Sequence, residues 1–442
     1  MTQFATDPVL FPATPRPVET RFDLDGLTSD GGLLWLVEAD DELELSSALA
    51  AAIPDWRRGP VRHTLPTLVR QRLLQIACGY PDQNDATTLR HDPLFKLGCG
   101  RLPGSGRPLA SQPTLSRLDN AVDEASCAAL AEVLLEVYLR ERARNGIPER
   151  ILLDLDSTAD PTHGEQEGSA YHGYYGQHMY HPLLVFDGDT DQLISARLRP
   201  GNAHASWDAV AELERITAAM RHHWPEVALE IRADGGFAIP ELYAHCEAAG
   251  ITYTIGLIPN ARLEWQAIPL QVAAQYGRDC TGAEKVRLVS ELDYQAGSWE
   301  QARRVVYKAE AMEQGANTRF VVTSRKDPPQ AVYDWYVERG ETENWIKDLK
   351  RACWADRLSC HGFWANQFRL LLHAAAYWLL DTLRRWLGER KAPRIQLDTL
   401  RLWLIKIGGW VRELTTTVRL HLASSHPGQP LWHLLATRSG RS

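Results

Sequence analysis

The chain lacks the long apolar run that a membrane-spanning helix needs. Its longest nearly uninterrupted one, Leu370 to Leu380, contains His373 and is about half of the ~20 residues required. No membrane segment is expected. The N-terminus, MTQFATDPVLFPATPRPVE, has no basic n-region, no apolar h-region and no small-residue cleavage site, so no secretory signal is expected and the cytoplasm is the expected compartment. Cysteine is sparse and scattered: the seven residues Cys78, Cys99, Cys127, Cys246, Cys280, Cys353 and Cys360 include no Cys-x-x-Cys pair, which argues against a zinc ribbon and fits reduced thiols. There is no internal repeat and no low-complexity tract. Hydrophobic residues make up 44% and charged residues 24%, a composition that excludes a disordered protein and a fibre, and 442 residues are enough for two or three domains with a sizeable core.

Negative charge is scarce in one place only. Residues 344–442 hold 16 basic and 6 acidic residues, against 16 and 29 in 151–343 and 16 and 21 in 1–150. The net charge of −8 therefore hides a tail of +10 behind a middle of −13. A basic tail suggests a polyanionic partner, and an acidic middle suggests a cation-dependent site.

Residues 1–25 are rich in proline and read as an irregular arm. Apolar residues at three and four spacing run through LLWLVEADDELELSSALAAAI, LPTLVRQRLLQIACGY and ASCAALAEVLLEVYLRERAR, which predicts an all-α region over 26–148. From 149 the texture becomes RILLDLDST, HPLLVFDGDT and QLISARLRPGN, then helix and strand alternate through WDAVAELERITAAM, VALEIRAD, IPELYAHCEAAG and ITYTIGLI. Three neighbouring strands followed by alternating elements predict a mixed α/β sheet over 149–258. KVRLVSELDY, ARRVVYKAEA and TRFVVTS make 259–328 a β-rich insertion without an obvious crossover helix. The chain is expected to turn helical again over 329–390, and 391–442 is expected to be a basic, helical C-terminal region.

Asp156 ends the first strand of this sheet, Asp234 ends the strand after the first helix, and Glu343 lies on the helix after the insertion. Strand ends on one edge converge, so the two aspartates can approach each other and a helix can bring the glutamate across. Three carboxylates at contact distance repel, and a pair of Mg2+ ions is the usual remedy, suited to activating a water or a 3′-hydroxyl in phosphodiester chemistry. On spacing alone a strand-end aspartate is equally a turn or helix-capping residue.

The segment Tyr336-x2-Arg339-x3-Glu343-x6-Lys350 fixes four residue types at four spacings, and on a single helix all four would share a face. It resembles the Tyr-Arg-Glu-Lys signature of DDE transposases of the insertion-sequence-4 type. GYPDQNDATTLRHDPLFK (79–96), LASQPTLSRLDN (109–120), LDLDSTAD (153–160), HPLLVFDGDTDQLISARLRPGNAHAS (181–206) and RADGGF (232–237) resemble blocks of the insertion sequence 1380 family of bacterial transposases, from about residue 30 to about 390. The resemblance implies an RNase H-like core interrupted by the insertion and cut-and-paste movement of a DNA element. It also implies a metal-binding triad of Asp156, Asp234 and Glu343 holding two Mg2+ ions, with Mn2+ as a substitute. Tyr336, Arg339 and Lys350 would contact transferred or flanking phosphates. Asp154, two residues earlier on the strand, is the rival for the first position; Asp156 is preferred because the wider group places the ligand directly before the Ser157-Thr158 pair. The expected partners are double-stranded DNA, as transposon ends and target, and a second copy of the chain in the complex with paired ends.

Other features are open to more than one reading. Lys347, Lys350, Arg351 and Arg357 continue the helix as a basic stripe, either a DNA-binding face or a solvated one. Ser111 to Arg117, with Gln112 and Arg117 able to reach bases or phosphates, reads as a recognition helix or as a simple capped helix. His172, His178 and His181 lie in a His/Tyr cluster that suits a hairpin lining a DNA channel, plain packing or a zinc site. Trp265 and Trp299, in the insertion, are either base-holding aromatics or core. Two further functions compete: a nuclease or resolvase using the same triad without strand transfer, and a domesticated DNA-binding protein without catalysis.

Overall fold

The computed structural model describes residues 9–11, 15–144, 146–388 and 395–438. Residues 1–8 and 12–14 of the expected arm, and the boundary expected between 390 and 391, lie outside the described residues.

The first part is a helical bundle whose main members are α1 (Leu33–Leu43), α2 (Leu65–Ala77), α3 (Gln112–Asp119) and α4 (Glu124–Ala143). Local chemistry sets their starts. Thr64 accepts the Thr67 N–H at the head of α2, where Pro66 has no N–H to lose, and Asp123 accepts the Ser126 N–H at the head of α4.

The sheet follows: β1 (Arg150–Ser157), β2 (Leu183–Asp187), β3 (Leu193–Arg197), α5 (Ala209–His223), β4 (Ala228–Ala233), α6 (Pro240–Ala249) and β5 (Thr252–Leu257). Then come α7 (Ala261–Thr281), β6 (Lys285–Tyr294), β7 (Arg303–Met312) and β8 (Gly315–Thr323). All eight strands form one sheet in the order β6-β7-β8-β5-β4-β1-β2-β3. Within it β1, β4 and β5 run parallel, while β2, β3 and β6 to β8 are antiparallel to their neighbours. β1 is buried from Ile151 to Asp156, the mark of a central strand covered on both faces.

Three expectations about local structure differ from the structure. The arm expected to be irregular holds two short antiparallel strands, Val9–Phe11 and Val18–Thr20. Residues 259–328 are not strands alone, because the 21-residue α7 comes first, and the strands extend the main sheet. The C-terminal stretch is not simply helical: Gly409–Glu413 and Val418–Leu422 form a hairpin whose first strand also pairs with Leu27–Thr28. The alternation in VRLHL suits a half-buried strand.

Between the sheet and this hairpin lie three longer helices: α8 (Pro329–Val337), α9 (Glu341–Cys353) and α10 (Phe363–Trp386). α10 is buried from Ala365 to Arg384 and packs against α1, α2, α4, α9 and β3, so its apolar run is a core element. Its polar side chains are used inside: Gln367 accepts the Leu198 N–H at 2.6 Å and Trp378 donates to the Leu193 carbonyl at 3.1 Å. Among the described residues no helix is long and apolar enough to cross a membrane.

Candidate active site

The parallel register of β1 and β4 pairs Leu155 with Ala233, so the next residues, Asp156 and Asp234, emerge side by side at the ends of adjacent strands. Asp234 leaves the sheet by capping a short turn, Gly235–Phe237, its Oδ1 accepting the Gly236 N–H at 2.8 Å. Asp156 Oδ1 accepts the Ser157 N–H at 2.8 Å, and its Oδ2 accepts from Arg339 Nη1 at 3.0 Å. Burial, reinforced by the charge of Asp234 and opposed by Arg339, pushes the Asp156 carboxyl up to about 6. A folded value above the ordinary one means that the contribution of this group to stability is complete below about pH 4 and is lost as pH rises through about 6. Above that, the pair of carboxylates calls for a cation.

The helical segment brings that cation as Arg339, although not on a continuous helix. α8 ends at Val337, Glu338–Gly340 form a 3-10 turn, and α9 begins at Glu341. This corrects the expectation of one helix with a shared face. Arg339 bonds to Asp156 across the sheet, not to Glu343 one turn on. Despite the desolvation of its guanidinium, Asp156, Tyr336 and Asp234 hold its affinity for the proton above the ordinary value. The Tyr336 hydroxyl donates to the Ala233 carbonyl at 3.3 Å, over Gly256, where an added Cβ would sit 2.7 Å from that hydroxyl. Glycine is thus required there for close approach.

Asp154 has a different office. Fully buried, it receives two hydrogen bonds of 2.7 Å from Arg232 Nε and Nη2, and Arg232 Nη1 donates at 2.8 Å to the Trp335 carbonyl. This clamp ties β1 and β4 to the end of α8, immediately before Tyr336, and leaves Asp156 as the carboxylate beside Asp234.

Lys350 is also tethered: its Nζ donates to the Ala159 carbonyl at 2.7 Å and lies 3.1 Å from Asp160 Oδ1. Burial pushes the Asp160 carboxyl up to about 7, against the pull of Lys350. Glu343, Lys347 and Arg351 lie on the exposed face of α9. Glu343 makes no hydrogen bond or ion pair among the described residues, and no group of three metal-ligating side chains is assembled among them. The structure therefore joins Asp156, Asp234, Tyr336 and Arg339, and places Glu343 at the start of the neighbouring helix. Gln112 and Arg117 lie on α3, which packs on α2 and α10 in the bundle, away from this constellation.

Two neighbours border the site, and both contain residues read from the sequence, the His/Tyr segment and the basic stripe; Trp354 and Arg401 in the second were not singled out there. The hairpin of Ala170–His172 with Gln177–Tyr180 carries Tyr175, whose hydroxyl is pushed up by burial and by the charges of Asp156 and Asp234. His172 and His181 stack edge to face beside it, with ring centroids 5.0 Å apart; burial lowers His181 to about 4, so it is neutral. The other neighbour is a cleft of about 690 Å3 lined by Lys350, Arg351, Trp354, Arg357 and Arg401. Arg357 lies 4.4 Å over the Trp354 ring, and buried Arg401 leaves Nη2 without a hydrogen-bond partner among the described residues. Asp356 and Asp398 also border the cleft. Trp299 is buried against Tyr243 and Tyr294, so it is core and not a base-holding surface; Trp265 is exposed.

The sequence profile of one family, described as transposase DDE domain group 1, matches residues 12–441. No curated protein matches the chain. Among solved structures, piggyBac transposase in a synaptic complex with hairpin DNA aligns over 85% of this chain and 80% of its own, at 14% identity and a TM-score of 0.43.

Proposed function

The chain belongs to the family of DDE transposases, domain group 1, and from that premise we propose that it is the transposase of a bacterial insertion sequence of the 1380 type. In this reading it binds the terminal inverted repeats of its own element, cuts both ends and joins the 3′-hydroxyls to target DNA in the cytoplasm, at the nucleoid. The observation that carries the reading is the pair of carboxylates, Asp156 and Asp234, side by side on adjacent parallel strands under Arg339. Three central parallel strands, β1, β4 and β5, with antiparallel β2 and β3 beyond β1, support an RNase H-like core, with 259–328 as its insertion and 26–148 as a DNA-binding domain.

The donor set fits hard divalent cations: carboxylate oxygens that repel one another, beside a site that already attracts positive charge. Asp156 and Asp234, with Glu343 as the third ligand, would hold two Mg2+ ions, which supply activation of the attacking oxygen and stabilisation of the leaving one. Arg339 then exchanges its carboxylate for a phosphate flanking the cut. Tyr336 holds the end of β4 in place, and Lys350, through Asp160, fixes how α9 lies on the sheet.

Because proton and cation compete for Asp156, end cleavage at low Mg2+ should fall on acidification with a midpoint near pH 6, and the midpoint should move down as Mg2+ is raised. A pH–rate profile at two Mg2+ concentrations checks this. The basic cleft lined by Lys350 is read as the path of the flanking duplex. Arg351→Ala and Arg357→Ala should each weaken end binding and reduce the slope of log affinity against log salt by about 1, measured by fluorescence anisotropy. The reading as a whole is tested by incubating the protein and Mg2+ with labelled DNA carrying the element's ends and mapping all products. Joined products are expected. Hydrolysis without joining would assign the site to a nuclease or resolvase, and binding without cleavage to a domesticated DNA-binding protein.

A further inference from the structure

α7 is apolar on both of its faces. Leu263, Ala267 and Ala274 are buried against the sheet, while Trp265, Ile268, Val272 and Tyr276 stand 71, 47, 61 and 71% exposed on the opposite side. Arg262 and Asp279, both exposed, bracket this stripe. Arg262, Trp265, Pro269, Val272, Tyr276 and Asp279 follow one another at alternating spacings of three and four, the seam of a heptad helix.

The stripe is complementary to itself. A two-fold axis passing between Leu270 and Gln271 sets two antiparallel copies of α7 so that Arg262 meets the partner's Asp279, Trp265 meets the partner's Tyr276, and Pro269 meets the partner's Val272. Each contact then occurs twice, as an isologous interface requires. The four apolar side chains offer roughly 500 Å2 per copy, so a pair buries about 1,000 Å2, the lower bound for a specific interface. The adjacent edge of the sheet is defended in another way, since β6 carries Lys285, Arg287, Glu291 and Asp293, charges that discourage strand addition. Within the stripe of α7 from Trp265 to Tyr276 no charged side chain intervenes.

We propose that the outer face of α7 is a two-fold interface with a second copy of this chain, formed by antiparallel pairing of the two helices and set in register by Arg262 and Asp279. The interface goes beyond the transposase reading and stands apart from it, because it forms without DNA. Arg262 bonds the Gln295 carbonyl at 3.2 Å and lies 5.4 Å over the Tyr294 ring, and Asp279 accepts from Gln275; to pair across the interface Arg262 gives up these contacts, which are at the exposed surface.

The test is sedimentation equilibrium of the full chain without DNA. The wild type should form dimers, and Trp265→Ser should abolish them. Arg262→Asp and Asp279→Arg should each raise the dimer dissociation constant by about tenfold or more, because like charges then face each other. Arg262→Asp combined with Asp279→Arg should restore it to within about threefold, which a loss of local helix stability would not do. Circular dichroism checks that each variant is folded. A monomeric wild type, or a double variant no better than the singles, would overturn the interface. So would a Trp265→Ser variant that still dimerises but fails only in processing cleaved DNA ends, which would assign the face to DNA.

Discussion

Asp234→Asn should reduce cleavage of the element's ends by about a thousandfold or more, with the melting temperature nearly unchanged and end binding intact. The side chain is well placed for so selective an effect. It lies half-buried, and its one hydrogen bond among the described residues, from the Gly236 N–H to Oδ1, is to a turn that an asparagine oxygen can still cap. What asparagine cannot supply is the negative charge that, next to Asp156, pushes that residue's carboxyl up and attracts a cation. Product mapping on denaturing gels, alongside thermal melts of the same preparations, checks both halves. Strong cleavage by a folded Asp234→Asn protein would remove Asp234 from the site.

Asp154→Ala should behave in the opposite way, losing about 3–5 kcal/mol of stability, because it strands the buried Arg232 guanidinium without its two carboxylate hydrogen bonds. Since Arg232 also holds the Trp335 carbonyl, the damage should spread to α8 and so to Tyr336. Urea unfolding gives the cost directly. Replacing both partners with apolar residues, Asp154→Leu with Arg232→Met, should recover much of the loss, as expected when the penalty comes from an uncompensated charge. Asp156→Asn, which keeps an oxygen for the Ser157 N–H, should cost far less. If Asp154→Ala proved as stable as wild type yet inactive, the two aspartates would exchange roles.

Part of this site is legible in the residues and part is not, for physical reasons. The strand-end placement of Asp156 and Asp234 followed from apolar runs that stop at a carboxylate: β4 ends at Ala233, just before Asp234, and β1 ends one residue past Asp156, at Ser157. The break between α8 and α9 was not legible, since Val337 to Glu341 contains helix-compatible residues apart from Gly340. Nor was the Arg339–Asp156 pair, which joins residues 183 apart in sequence and competes with a local partner that periodicity favours. α7 escaped notice because it is apolar on both sides and interrupted by Pro269, so it shows no clean stripe against a polar background. The C-terminal hairpin did carry a signal, the alternation in VRLHL, that charge counting passed over.

The central claim, that Asp156, Asp234 and Glu343 together hold divalent cations for DNA cleavage, is tested most directly by Mn2+ binding, followed by electron paramagnetic resonance on the folded wild type and on Asp156→Asn, Asp234→Asn and Glu343→Gln, with end DNA present. The account predicts two bound ions per wild-type chain, weakened binding in each of the three variants, and unchanged binding in Lys347→Ala, whose exposed side chain lies on the same helix as Glu343. Wild-type Mn2+ affinity and stoichiometry in Asp156→Asn, Asp234→Asn or Glu343→Gln would contradict it.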